Sequence, residues 1–477
     1  MSFYRNLLMN LPEVTSPSQK LTLKKRMTWT LGMLVLFLFL ASIPLFGVDG
    51  SQAEYFKTLE LLLGAKIGFL LTLGIGPIVT ASIVLQLLKG SGILKFDLTT
   101  EDGKFVYSGT HKLLTFAFII IEAIVFVAFG AVQATIGTYG GIPFSYIVML
   151  QLGLGGFIVL YMDEIVKKWG FGSGVSLFIA AGIGQALFLQ FFSPFTQTGD
   201  FGWLFGGTEV AVGKIWAGLY YLSGGDPLNF FLLVLGPILI TVGLFFLIVF
   251  FQSVNVEIPL SFGRVRGQSF RWPLNFFYSG VIPVILIAAL GANLQLWARL
   301  LQNVVTENSS AFMQFLSNRV LGTFQETTPV SGLVYWISPV NLWDNFFNFF
   351  TLSVWPNMIT YTIYLVIGST VFAYFWMQTA GLDSRSQAKQ IINSGLQIPG
   401  FRKDERIIEK ILDRYIVPLT IMGGIGIGLL ASSADLLGAL TSGTGILLMI
   451  MIIYQFYQQL ARESMEDFTL LRKLMRK

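Results

Sequence analysis

Long uninterrupted apolar runs constrain this chain more than any other feature. A helix needs about 20 apolar residues to cross the hydrocarbon core of a bilayer. The runs at 27–46, 74–89, 113–134, 144–166, 174–193, 229–252, 274–298, 358–379, 415–433 and 441–460 meet or approach that length. They lack the period-two alternation of a barrel strand, so they read as ten spanning helices, whose backbone is satisfied internally. Composition agrees, because 54% of residues are hydrophobic and 12% charged. That is half the charge of an ordinary soluble chain, which excludes a soluble globule and a disordered chain. Cysteine is absent and His111 is the one histidine. Disulfides, Fe–S clusters and thiolate zinc sites are therefore excluded, and a His metal site or Ser–His triad is disfavoured. The first run is too long for a signal-peptide core and no small-x-small site follows before Asp49, so it is expected to be a retained span.

Ten spans put both ends on one side, and the charges test that count. With the N-terminus inside, 26 of the 31 Lys and Arg residues fall inside and 5 outside. The positive-inside rule requires such an asymmetry, and one missed span would scramble it. The acidic residues divide 15 inside and 10 outside, with Glu122 alone in mid-membrane.

Between the first two spans lies 51-SQAEYFKTLELLLG-64. Phe56, Leu59 and Leu63 make one helical stripe, flanked by Tyr55 and Leu62. A stretch of this length is a re-entrant or interfacial helix, and both a pathway element and an outer-surface amphipathic helix remain open. The following span is short and opens with Gly74, Gly76 and Pro77, which break a helix. A half-depth helix is tolerated only against protein or a water-filled cavity. On that span Ile75 and Val79 share a face with Ser82 and Gln86, aliphatic at mid-depth and polar below. An aqueous funnel closed by an aliphatic constriction wants that pattern, though a helix contact also accommodates it.

Two inside loops protrude. The alternating 254-VNVEIPLSFGRVRGQ-268 reads as a β-hairpin turning at Gly263, with Arg264 and Arg266 at its tip and Arg271 beyond. Loop 380–414 carries seven Lys and Arg residues, Arg402 among them. Such charges suit docking to an anionic partner such as RNA, and they equally serve as topology signals. The long outside connection 194–228 separates five spans from five, which suggests an inverted repeat.

Few polar groups lie deep in the spans: Glu122, Thr80, Ser82, Gln86, Gln151, Asn293 and Gln455. Ion-coupled carriers need more buried charge. No GxxxxGK[ST] loop and no HExxH occurs. Nothing points to catalysis or a cofactor.

Several long segments carry a resemblance. 73-LGIGPIVTASIVLQLL-88, 163-DEIVKKWGFGSGVSLFIAAG-182, 256-VEIPLSFGRVRG-267, 272-WPLNFFYSGVIPVILIAALGANLQLW-297 and 395-GLQIPGFRKDERIIEKILDRYIVPLTIMGG-424 resemble the SecY family of protein-translocation channels. 399-PGFR-402 is similar to its archaeal and eukaryotic branch. The resemblance implies an all-α polytopic membrane protein. Its ten transmembrane helices would form two inverted five-helix halves around a central pore, with a short re-entrant plug helix. It implies an aliphatic pore ring of Ile75, Val79, Val175, Ile179, Ile285 and Leu448. It also implies a lateral-gate cluster of Thr80, Glu122 and Asn293, and a plug carrying Tyr55, Phe56, Leu59, Leu62 and Leu63. Cytosolic docking falls to Arg264, Arg266 and Arg402.

The implied layout is a cytosolic segment 1–26, a first half 27–193 with plug 51–64, and an external linker 194–228. A second half 229–460 follows with cytosolic loops 252–273 and 380–414, then a cytosolic tail 461–477. Implied partners are two small single-span subunits resembling SecE and the Sec beta subunit, the ribosome, signal sequences, nascent chains and lipid. Both termini would be cytosolic, in an archaeal cell membrane or, in a eukaryote, the endoplasmic reticulum. Two other readings stay open from the residues: a secondary transporter for a small solute, which would leave the basic hairpin idle, and a lipid-modifying membrane enzyme, for which candidate polar residues are scattered.

Overall fold

The computed structural model describes residues 2–19, 21–48, 68–90, 93–94, 96, 100–128, 132, 134–135, 137–196, 201–203, 209–262, 269–305, 310–325, 328–340, 354–394, 396–397 and 404–474. Its helices are α1 (Ser2–Met9), α2 (Leu23–Leu40), α3 (Gly76–Gly90), α4 (Glu101–Ala128), α5 (Phe144–Trp169), α6 (Gly174–Phe192) and α7 (Lys214–Ser223). They continue with α8 (Pro227–Ser253), α9 (Ile282–Val304), α10 (Trp355–Thr379), α11 (Ser384–Asn393), α12 (Glu405–Leu436) and α13 (Gly443–Leu474). Among the described residues, eight helices are long and apolar enough to cross a membrane. With α2 and the shorter α3 they occupy the ten apolar runs. At 15 residues, α3 rises about 22 Å, less than the ~30 Å core of a bilayer.

Each span divides its apolar residues between neighbours and lipid. On α5, Val148, Leu152, Gly155, Val159 and Val166 form the buried stripe, while Tyr146, Leu150 and Leu154 face outward. On α4, Ile119, Ala123 and Phe126 are buried and Ile120, Ile121 and Ile124 are exposed. Helices α10 and α12 approach most closely at two small residues. A Cβ at Gly424 would lie 2.7 Å from Thr370 Cα, and one at Gly428 2.6 Å from Val366 Cα. Ser369 Oγ uses that proximity to donate to the Gly424 carbonyl at 2.7 Å, the small-xxx-small packing that lets helices associate in lipid.

Several boundaries differ from the apolar runs, among them three helix starts. Helix α4 begins at Glu101 rather than 113, and α12 at Glu405 rather than 415. In both, about three more polar turns continue the same helix beyond the apolar run, because hydropathy marks the bilayer and not the helix. Helix α9 begins at Ile282 rather than 274. The preceding residues are held in a strand to Asn275, then turn through Gly280 at φ +70°.

The hairpin read from the alternation is present as β1 (Asn255–Phe262) and β2 (Ser269–Asn275), antiparallel with Ile258 opposite Trp272. A third strand, β3 (Leu396–Gln397), pairs with the other edge of β1, Ser261 opposite Gln397. The two inside loops are therefore one structure. Ile258, Leu260 and Leu274 of the hairpin pack with Ala388 and Ile391 of α11 and with Ile408, Leu412 and Ile416 of α12, a second core at the inner ends of α10 and α12.

Candidate functional site

Four elements bring the expected aliphatic residues together. Ile75 precedes α3 and Val79 lies in its first turn. Val175 and Ile179 come from α6, Ile285 from α9 and Leu448 from α13. Ile75, Val79, Ile179, Ile285 and Leu448 are all buried in one continuous apolar cluster, and Val175 is half-buried against it. Five of the six are buried and Val175 is half-buried, so none is among the exposed side chains. A collection of branched side chains without fixed hydrogen bonds can exclude water and ions at rest and deform when displaced.

The mouth of α6 is set by a carboxylate absent from the expected set. Asp163, buried on α5, accepts the Val175 backbone N–H at 2.9 Å and pairs with Lys167 at 2.6 Å. It satisfies an orphan donor at the helix N-terminus and so fixes where Val175 begins. Asp163 lies at the edge of its apolar run, where sequence alone places carboxylates in water. Asp163 and Asp435 are two further buried carboxyls, near the C-terminal ends of α5 and α12.

Two members of the expected polar cluster also meet. Asn293 Nδ2 on α9 donates to Thr80 Oγ1 on α3 at 3.3 Å, and Thr80 donates to its own helix at the Gly76 carbonyl, 2.9 Å away. Glu122 of α4, the third member of the expected cluster, is half-buried. Nearer the inner side, Lys89 Nζ at the end of α3 donates to the Gln378 carbonyl of α10 at 3.3 Å. The seam between α3–α4 and α9–α10 is thus bridged by a few polar bonds. Ser82 lies 2.7 Å from His111 Nε2 of α4, so this part of the polar face serves a helix contact. Gln86 is buried and its Oε1 has no partner.

On the inner surface, the N-terminal segment is tied to the end of α5. Lys168 Nζ pairs with Glu13, donates to the Val14 carbonyl at 2.6 Å and reaches Glu164 at 3.3 Å, and Glu164 also pairs with Lys112 at 2.9 Å. The Trp169 indole donates to the Thr15 carbonyl at 2.9 Å. The hydrogen bond and charge of Lys168 hold the Glu13 carboxyl below the usual carboxylate range, against the opposing effect of its slight burial.

Tyr55, Phe56, Leu59, Leu62, Leu63, Arg264, Arg266 and Arg402 lie outside the described residues. Among the described residues, no group of three His, Cys, Asp or Glu side chains is placed to hold a metal ion.

A family model described as SecY matches residues 70–457. The protein translocase subunit SecY of Pyrococcus furiosus is 39% identical, covering 97% of this chain and 96% of its own length. That of Methanothermobacter thermautotrophicus is 38% identical, covering 96% and 94%. Among solved structures, a protein-conducting channel superposes with a TM-score of 0.77 at 35% identity, covering 96% of both chains. Sec61 in the canine ribosome–channel complex from the endoplasmic reticulum gives 0.76 at 35% identity with the same coverage.

Proposed function

We propose, from the premise that the chain belongs to the SecY family, that it is the pore-forming subunit of a protein-conducting channel in an archaeal-type cell membrane. It passes unfolded secretory polypeptides between its two five-helix halves and releases apolar signal helices sideways into lipid. It is a conduit and not an enzyme. Family membership sets aside the small-solute transporter. What supports the reading is that Ile75, Val79, Ile179, Ile285 and Leu448 are buried in one apolar cluster with Val175 packed against it, on helices joined by the Asn293–Thr80 contact.

The ring residues act as a gasket. An extended chain parts the branched side chains, which reseal around any sequence because no directional bond has to be remade. The driving force for lateral release is the transfer of a signal helix from water to lipid, about 25 cal/mol per Å² of apolar area. A signal can open the seam only if it contacts the open state better than the closed one. Thr80, Glu122 and Asn293 set that difference by stabilising closure. The segment 51–64 occludes the outer funnel at rest. Arg264, Arg266 and Arg402 present positive charge to a ribosome, which supplies the push that a chain without a nucleotide-binding loop does not. Small single-span subunits of the SecE and beta type complete the complex.

The test is reconstitution of the purified complex in vesicles. A radiolabelled presecretory chain becomes protease-protected in proportion to the complex present, with no matching uptake of small solutes. Solute uptake without chain protection contradicts the reading.

A further inference from the structure

A carboxyl group inside a membrane protein is costly unless donors surround it. Asp435, in the last turn of α12, is buried and so surrounded. Its Oδ2 accepts the Tyr361 hydroxyl of α10 at 2.6 Å and the Thr444 hydroxyl of α13, and its Oδ1 accepts the Thr444 backbone N–H at 3.1 Å. With these lone pairs taken by donors, the group is built as a junction and not as a cation ligand. It joins α10 to the first turn of α13.

One turn along α10, Tyr364 extends the junction to a third helix. Its hydroxyl donates to the Ile287 carbonyl of α9 at 3.0 Å. Glycine at 291 leaves room for that approach, because a Cβ there would lie 3.0 Å from the Tyr364 oxygen. Tyr361, Tyr364, Asp435, Thr444, Ile287 and Gly291 line one cavity of about 50 Å³, large enough for water. The two ends of the chain of contacts fall on the helices that carry Ile285 and Leu448. Ile287 is two residues from Ile285, Thr444 is four from Leu448, and α9 also carries Asn293.

We propose that Tyr361, Tyr364 and Asp435 form a polar strut that sets the resting spacing of α9 and α13, and so act as positioning residues for how stringently the channel demands a signal before opening. The inference rests on the channel reading above. Removing one hydroxyl leaves a buried acceptor short of a donor in the closed arrangement. The direct bond exists only at the resting spacing of these helices, so its loss costs closure more than opening. The void beside the strut gives α9 space to shift without breaking packed contacts.

The experiment uses the full complex in vesicles and compares two substrates, one with an intact signal and one with its apolar segment shortened. Tyr361→Phe and Tyr364→Phe are each expected to raise the shortened-to-intact translocation ratio about fivefold, the effect of losing one hydrogen bond, and Asp435→Asn at least as much, with the intact substrate within about twofold of wild type. Ser369→Ala is the control. It removes a buried bond of the same kind between α10 and α12 that touches neither α9 nor α13, and should lower thermal stability while leaving the ratio unchanged. If Asp435→Asn does not assemble, the two Phe variants carry the test. An unchanged ratio in both Phe variants overturns the strut, as does an equal rise in Ser369→Ala. Failure of the wild type to translocate the intact substrate overturns the channel reading instead, so the two failures are distinguishable.

Discussion

Asn293 donates to the Thr80 hydroxyl at 3.3 Å across 213 positions of sequence. One threonine therefore links the short helix α3 to the helix α9, which also carries Ile285.

Removing this node lowers the cost of opening. Each hydrogen bond contributes about 1 kcal/mol net, so alanine at Thr80 or Asn293 should shift the closed-to-open ratio about fivefold toward open. Cross-linking of a limiting signal peptide to α3 and α9 reads that shift. Unchanged signal occupancy when Glu122→Ala is added to both would contradict a closing role.

Charge reversal at Arg264, Arg266 and Arg402 tests docking. Each lost phosphate contact reduces the slope of log affinity against log salt by about 0.7–0.9. The triple reversal should weaken ribosome binding at physiological salt and flatten the salt dependence by about 2–3. Binding identical to wild type at every salt concentration returns these arginines to topology signalling alone.

Much of this architecture was legible from sequence because lipid imposes a length and a charge rule on every span. The Thr80–Asn293 pair is reachable through long motifs whose resemblance names its partners. Other features left no local signal. Pairing of β3 with β1 joins Gln397 to Ser261, and a two-residue strand has no periodicity to read. Asp163 and Asp435 lie at the rims of apolar runs, where burial depends on which neighbouring helix folds over them. The polar first turns of α4 and α12 were missed because hydropathy is blind to helix outside the bilayer.

The tie between Glu13 and Lys168 predicts a pH dependence with a definite sign. The docked carboxyl titrates below its free value. Docking is therefore fully favoured above the free value, about 4.3 for Glu, and weakens as pH falls through the lower docked value. Hydrogen exchange in residues 11–19, corrected for intrinsic rate, should rise only below about pH 4. Lys168→Met should raise it at neutral pH and remove the dependence. Exchange that rises with pH instead would reverse the assignment.

The absence of native cysteine gives the central claim a clean measurement. Single cysteines at Ile75, Val79, Val175, Ile179, Ile285 and Leu448, and at lipid-facing Leu150 and Phe246, can each be oxidised against one cysteine in a secretory chain stalled on its ribosome. The account predicts disulfide cross-links from the six convergent positions and background levels from the two lipid-facing ones. Cross-links no stronger at the six than at Leu150 and Phe246 would show that the polypeptide does not pass through this constriction.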